Sequence, residues 1–324
     1  ISGSYSDDEK AIASLESIMP EYMGKLYSDK FFSEEAKKDV TSMIKDMISV
    51  YDKRIDNLSW MSSATKEKAK EKLASIKIKV GYPDKWDTYM DNVDIKSKSE
   101  GGSYFDNVLA IAKEACAYGV SQQGKPVDKD VWAMPAFMVN ACYDPSANDI
   151  TFPAAILQAP MYDVNASYEQ NLGGIGFVIA HEITHAFDNS GAKFDKDGNA
   201  ADWWTKEDYD QFQKLCSDMI DFYDNWVAAP GIAESGEQTL SENIADQGSI
   251  ACITEIAAGL ENPDYKAMYS QLAKCWMITS SREYMQYLTQ IDVHSLGKLR
   301  VNRTVVNCDA FYSAFDVNEN DAMY

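Results

Sequence analysis

Gly176-Phe177-Val178-Ile179-Ala180-His181-Glu182-Ile183-Thr184-His185-Ala186-Phe187-Asp188 places two histidines four apart in an apolar run without proline. Such a run reads as a buried helix. On a helix the i, i+4 spacing stacks His181 and His185 on one face, where both imidazoles can bind one metal ion. Glu182 lies beside them and can take a proton from water, the division of labour that H-E-x-x-H encodes in metal-dependent hydrolases.

Two histidines do not complete a metal site, so the third ligand has to come from elsewhere. A histidine at position 191 would indicate a metzincin and a glutamate at 204 a thermolysin-shaped aminopeptidase, but these positions hold Gly191 and Trp204. Downstream, Ser241-Glu242-Asn243-Ile244-Ala245-Asp246 reads as a helix start capped by Ser241, with Glu242 and Asp246 on one face. Alone this is an acidic first turn of the kind a helix dipole favours. Beside H-E-x-x-H it offers Glu242 as a carboxylate ligand and Asp246 as acceptor for the other ring N–H of a ligating histidine. The remaining histidine, His294, lies in Asp292-Val293-His294-Ser295-Leu296-Gly297-Lys298-Leu299-Arg300. It reads as a surface residue, as a donor to the oxyanion of a tetrahedral intermediate with Arg300 binding a substrate carbonyl, or as the third ligand itself.

The rest of the chain frames this site. Its 324 residues, 45% hydrophobic and 12% aromatic, can bury a substantial core, and the length favours about two domains. With 51 acidic and 30 basic residues the net charge is -21, which excludes a nucleic-acid binder. Six cysteines without a C-x-x-C pair read as free thiols. No apolar run long enough to span a membrane occurs, nor a targeting signal. The chain is expected to be soluble as given, either cytoplasmic or secreted with an upstream signal or anchor outside it. Asp195-Lys196-Asp197-Gly198-Asn199 reads as a turn.

The expected fold class is mainly α with a small β-sheet. Residues from about Glu9 to Lys79 read as successive amphipathic helices with Ser33 and Ser63 as N-caps, and Gly81-Tyr82-Pro83-Asp84 opens a polar boundary running to about 102. A helix near 104–118 precedes a hairpin of Val139–Tyr143 and Ile150–Phe152. Helices follow over 174–188, 205–227, 241–260 and 264–289.

The motifs His181 to Asp188, Glu242 to Asp246, Val139-Asn140-Ala141-Cys142-Tyr143 and Asp292 to Arg300, in this order, resemble the neprilysin family of zinc endopeptidases, which includes bacterial oligopeptidase O. The match runs nearly end to end and takes in Asn57-Leu58-Ser59-Trp60-Met61, Ile78 to Pro83, Phe152 to Gln158 and Asp202-Trp203-Trp204-Thr205. The resemblance implies a thermolysin-like zincin catalytic domain over 103–324, preceded by a helical segment, 1–102, that contributes to a second, lid-like domain. It implies one zinc ion on His181, His185 and Glu242, general base Glu182, Asp246 supporting a ligand, and His294 as transition-state donor. Asn140 and Ala141 would pair with the backbone of an oligopeptide substrate, Arg300 would anchor a substrate carbonyl, and Ile156, Met161, Phe177, Val178 and Trp276 would hold a large apolar residue after the scissile bond. Members of the family are about twice this length, so a separate N-terminal half is an implied partner, and a peptide-binding fragment that does not turn over is the alternative reading. Position 142 holds Cys142 where the family carries an aromatic residue.

Overall fold

The computed structural model describes residues 5–86 and 89–324. Residues 1–4 of the expected helical segment and 87–88 of the expected boundary lie outside the described residues. Ser6, Ser33 and Ser62 each accept the backbone N–H three residues on, and these caps start α1 (Asp7–Ile18), α3 (Glu34–Asn57) and α4 (Ser63–Ala74). The helix between them, α2 (Pro20–Phe31), starts instead on Pro20, which has no N–H to leave unpaired. The cap of α4 is therefore Ser62 and not Ser63. The helical pattern also ends earlier than Lys79, because Lys77–Gly81 forms strand β1. Pairing decides this, since β1 lies parallel to β3 (Asp149–Pro153), with Ile78 opposite Ile150 and Val80 opposite Phe152. On the other side β3 pairs antiparallel with β2 (Cys142–Asp144), giving the order β1-β3-β2 and the hairpin read from the sequence.

Helix α3 buries Val40, Met43, Ile44, Met47, Tyr51 and Ile55, spaced three and four apart. These side chains enter one core with Leu73 and Val80, with Ile150 and Phe152 of β3, and with Phe177, Ile179, Ile250 and Met268. Residues on both sides of position 102 thus share buried surface. In contrast, α5 (Tyr104–Ser121) buries only Ile111 among its described residues.

The chain then forms α6 (Tyr168–Asn171), a π-helical turn at Leu172–Gly176, and α7 (Phe177–His185). Helix α7 is shorter than the expected 174–188. Beyond it run α8 (Lys206–Tyr223), a small hairpin of β4 (Val227–Ala229) and β5 (Ile232–Ala233), α9 (Leu240–Ala258) and α10 (Tyr265–Cys275). Instead of one helix over 264–289, a break at 276–281 separates α10 from α11 (Arg282–Ile291), where Ser281 accepts the Tyr284 N–H and starts the new helix. Serine competes with the backbone in this way and so favours helix starts over interiors. Two further helices, α12 (Gly297–Val305) and α13 (Asp309–Phe315), close the chain.

Helices α7 and α9 pack against each other at close range. Gly248 permits this, because a Cβ there would stand 2.4 Å from Oγ1 of Thr184. Thr184 cannot yield, being buried, β-branched and hydrogen-bonded to Ala180 O. Gly248→Ala is expected to force the helices apart and cost about 1–3 kcal/mol, as overpacked cores do. A thermal melt of the metal-free protein equal to wild type would show that the helices adjust without cost. All six cysteines are free, and among the described residues no helix is long and apolar enough to cross a membrane.

Candidate active site

Every residue of α7 from Phe177 to Thr184 is buried, which explains why its sequence is apolar all round and why its three polar exceptions matter. The His181 and His185 rings meet edge to face, with their Nε2 atoms 2.9 Å apart. Across the α7–α9 contact, Oε2 of Glu242 lies 3.0 Å from His181 Nε2 and 3.5 Å from His185 Nε2. It is buried, and despite these neighbours it accepts no well-aligned hydrogen bond. Ligands held about 2.0–2.1 Å from a tetrahedral ion stand roughly 3.3 Å apart. Two imidazole nitrogens and one carboxylate oxygen converge at close to that spacing, so His181, His185 and Glu242 fit a zinc ion.

Each imidazole is oriented from behind. His181 Nδ1 lies 2.8 Å from Asp246 Oδ1, and His185 Nδ1 lies 2.6 Å from Asp188 Oδ2. A carboxylate at Nδ1 accepts a hydrogen bond from the Nδ1–H, which fixes the tautomer and leaves the Nε2 lone pair facing the shared position. Arg300 Nη2 also comes within 3.3 Å of His181 Nδ1, but two donors cannot bond to each other, so that approach is a contact only. The guanidinium is held instead by Asp246, through Nε to Oδ2 at 2.8 Å and Nη2 to Oδ1 at 2.6 Å, and lies over the Trp276 ring. Burial works to raise the Asp246 carboxyl, yet Arg300 and then His181 hold it below its ordinary value. Burial likewise disfavours charge on the histidines, yet Asp246 and Glu242 raise His181 and Asp188 and Glu242 raise His185 above the usual range.

Ser241 does not cap α9, as the sequence suggested. The helix starts at Leu240, after Thr239, and Ser241 Oγ donates to Asp188 Oδ2 at 2.5 Å. His294, half-exposed, points Nε2 to within 3.2 Å of Glu242 Oε2 while Asp292 Oδ1 lies 2.8 Å from its Nδ1. The cleft in front of these groups encloses about 840 Å³. Asn140, Ala141, Ile156, Met161, Phe177, Val178, Glu182, Trp276 and Arg300 all line it, and Asn140–Ala141 leads into the edge strand β2.

The family model of peptidase family M13 matches residues 140–324, and a second M13 model matches residues 2–83. The chain belongs to peptidase family M13. As an M13 chain it is 43% identical to the neutral endopeptidase of Lactococcus lactis over 319 residues, covering 98% of this chain and 50% of that protein. It is 34% identical to human neprilysin over 323 residues, covering 94% of this chain and 43% of neprilysin. Among solved structures, the Mycobacterium tuberculosis zinc metalloprotease ZMP1 in complex with an inhibitor superposes with a TM-score of 0.87 at 34% identity, over 99% of this chain and 50% of that one. The M13 fold, mainly helical with a small sheet, is thus confirmed, and the chain spans about half the length of the curated relatives it matches.

Sequence reasoning assigned no role to Asp188 or Asp292 and read Ser241 only as a helix cap. Asp188 carried a local signal, standing three residues after His185 where an i, i+3 pair on one helical turn can meet. Asp292 and Ser241 carried none beyond proximity to His294 and Glu242.

Proposed function

We propose that this chain is the catalytic half of a zinc-dependent endopeptidase that hydrolyses internal peptide bonds of oligopeptides. The observation that carries this reading is the convergence of His181, His185 and Glu242 on one point beneath an apolar cleft, each histidine backed by a carboxylate. A zinc ion on these three residues would act as a Lewis acid toward a carbonyl and lower the pKa of water. Glu182 accepts the proton of the attacking water and passes it to the leaving amine. His294, its Nδ1 held by Asp292, turns Nε2 to the developing oxyanion, and Arg300 offers Nη1 to a substrate carbonyl. Asn140 and Ala141 pair with substrate backbone along the sheet edge, a mode that gives affinity without reading sequence.

Ile156, Met161, Phe177, Val178 and Trp276 form the pocket for a large apolar side chain after the scissile bond. In this proposal 103–324 is the catalytic domain, α3, α4 and β1 complete its core, and α1 and α2 of the 1–102 segment contribute to a lid-like domain. The second reading, a peptide-binding fragment that needs a separate N-terminal half, is favoured by one fact, the chain's half-length relative to its relatives.

Internally quenched peptides differing only in the residue after the scissile bond test both readings, with one equivalent of zinc. Leucine or phenylalanine there is expected to exceed alanine by about 10-fold or more in kcat/KM, the scale on which apolar pockets discriminate. Equal rates would remove the pocket assignment, and zinc binding without hydrolysis would favour the fragment reading.

A further inference from the structure

Lys72 of α4 is buried at 1% exposure, one of the largest side chains so fully enclosed among the described residues. A lysine in such a place needs all three N–H donors satisfied. Its Nζ donates to Ala186 O at 2.8 Å, Gly191 O at 2.7 Å and Phe194 O at 2.7 Å. Among the described residues no carboxylate forms an ion pair with it, and the rings of Tyr143, Phe187 and Trp203 surround it at 5.8 to 5.9 Å. Burial pushes the ammonium down to about 8, with Asp188 and Asp195 holding it up.

The three acceptors are not scattered. They flank one short loop that leaves the end of α7 and contains Asp188, the residue that holds His185. Ala186 precedes Asp188; Gly191 and Phe194 follow it. The loop is drawn tight under the helix, since a Cβ on Gly191 would stand 1.9 Å from His185 O. Asp188 Oδ1 accepts the Ser190 and Gly191 N–H groups at 2.7 and 2.6 Å, so the position of its other oxygen at His185 Nδ1 depends on the path of this loop. A cation at this point also faces the C-terminal end of α7, where the exposed carbonyl dipoles favour positive charge.

We propose that Lys72 is a positioning residue of the metal centre: by gathering the carbonyls of Ala186, Gly191 and Phe194 it sets the loop that aims Asp188 at His185. This rests on the reading of His181, His185 and Glu242 as metal ligands. It gives the helical segment before position 102 an indirect part in the metal site, through a side chain that acts on the loop carrying Asp188.

The test is zinc affinity of the full chain, measured by competition with a chromophoric chelator, for wild type, Lys72→Met, Asp188→Asn and the double variant. Methionine keeps the bulk of the side chain and removes the three donors. Lys72→Met is expected to bind zinc about 10-fold or more weakly, the usual effect of losing the support of a ligand. The double variant is expected to bind no more weakly than Asp188→Asn alone, because both changes remove one support. Wild-type affinity in Lys72→Met, whatever its melting temperature, would overturn the proposal, as would losses that multiply in the double variant. If Lys72→Met fails to fold, Lys72→Gln, whose amide has two N–H donors in place of three and ends one bond short of Nζ, is carried through the same comparison with the same criteria. Failure of wild type itself to bind zinc would remove the metal-centre reading, a result distinct from tight wild-type binding that Lys72→Met leaves unchanged.

Discussion

Glu182→Gln is expected to lower hydrolysis of an internally quenched peptide by about 10²–10⁴-fold, the usual weight of a positioned general base. Glutamine keeps the shape of the side chain but cannot accept a proton. Glu182 is buried on α7 and lines the cleft, while the three residues that would hold zinc lie outside the substitution. Zinc affinity is therefore expected to stay at the wild-type value, with the loss in kcat. The pairing of these two measurements separates a missing base from a damaged site. Full activity in Glu182→Gln would move the base elsewhere in the cleft, and loss of both activity and zinc would mean that Glu182 acts on the metal site and not on the attacking water.

The second large effect is expected at Asp246. Its two oxygens serve His181 Nδ1 and the Arg300 guanidinium at once, and all three groups are buried. Asp246→Asn keeps the volume but removes the charge, leaving Arg300 without its counter-ion in the core. Removing one partner of a buried pair costs about 3–5 kcal/mol, because the other charge stays desolvated. Zinc affinity is expected to fall about 10–100-fold as well, since the amide can no longer fix the tautomer of His181. Denaturant melts of the metal-free protein and zinc competition read the two effects separately. Adding Arg300→Met to Asp246→Asn should restore much of the stability and none of the zinc affinity. Stability and affinity that recover together would show Asp246 acting on the metal only through the fold.

Much of the site was legible because its chemistry is local. His181 and His185 stand four apart on one helix, and Glu242 and Asp246 four apart on another, so the i, i+4 rule alone brings each pair onto one face. The helices that carry them were legible for the same reason, although their ends were not. Ser241 illustrates the limit: in sequence it looks like a cap for α9, and it is drawn away by Asp188, a residue far earlier in the chain.

By itself the sequence determined that this is a mainly helical chain of an H-E-x-x-H metallopeptidase family, with the two segments that carry the candidate metal ligands, the β2–β3 hairpin and the residues of the cleft in place. Periodicity, spacing and side-chain chemistry specify the helices, the hairpin and the H-E-x-x-H segment, since each depends on residues close together in the chain, whereas the cleft residues followed from the resemblance of the motifs to the family. Only the tertiary structure decided that Lys77–Gly81 is a strand, that 264–289 breaks into two helices, that Asp246 belongs to His181 and Asp188 to His185, and that a lysine from α4 lies at the end of α7. Those depend on long-range partners: a strand forms where β3 offers it hydrogen bonds, a carboxylate serves the imidazole that packing brings to it, and a buried ammonium is stable only where three carbonyls converge.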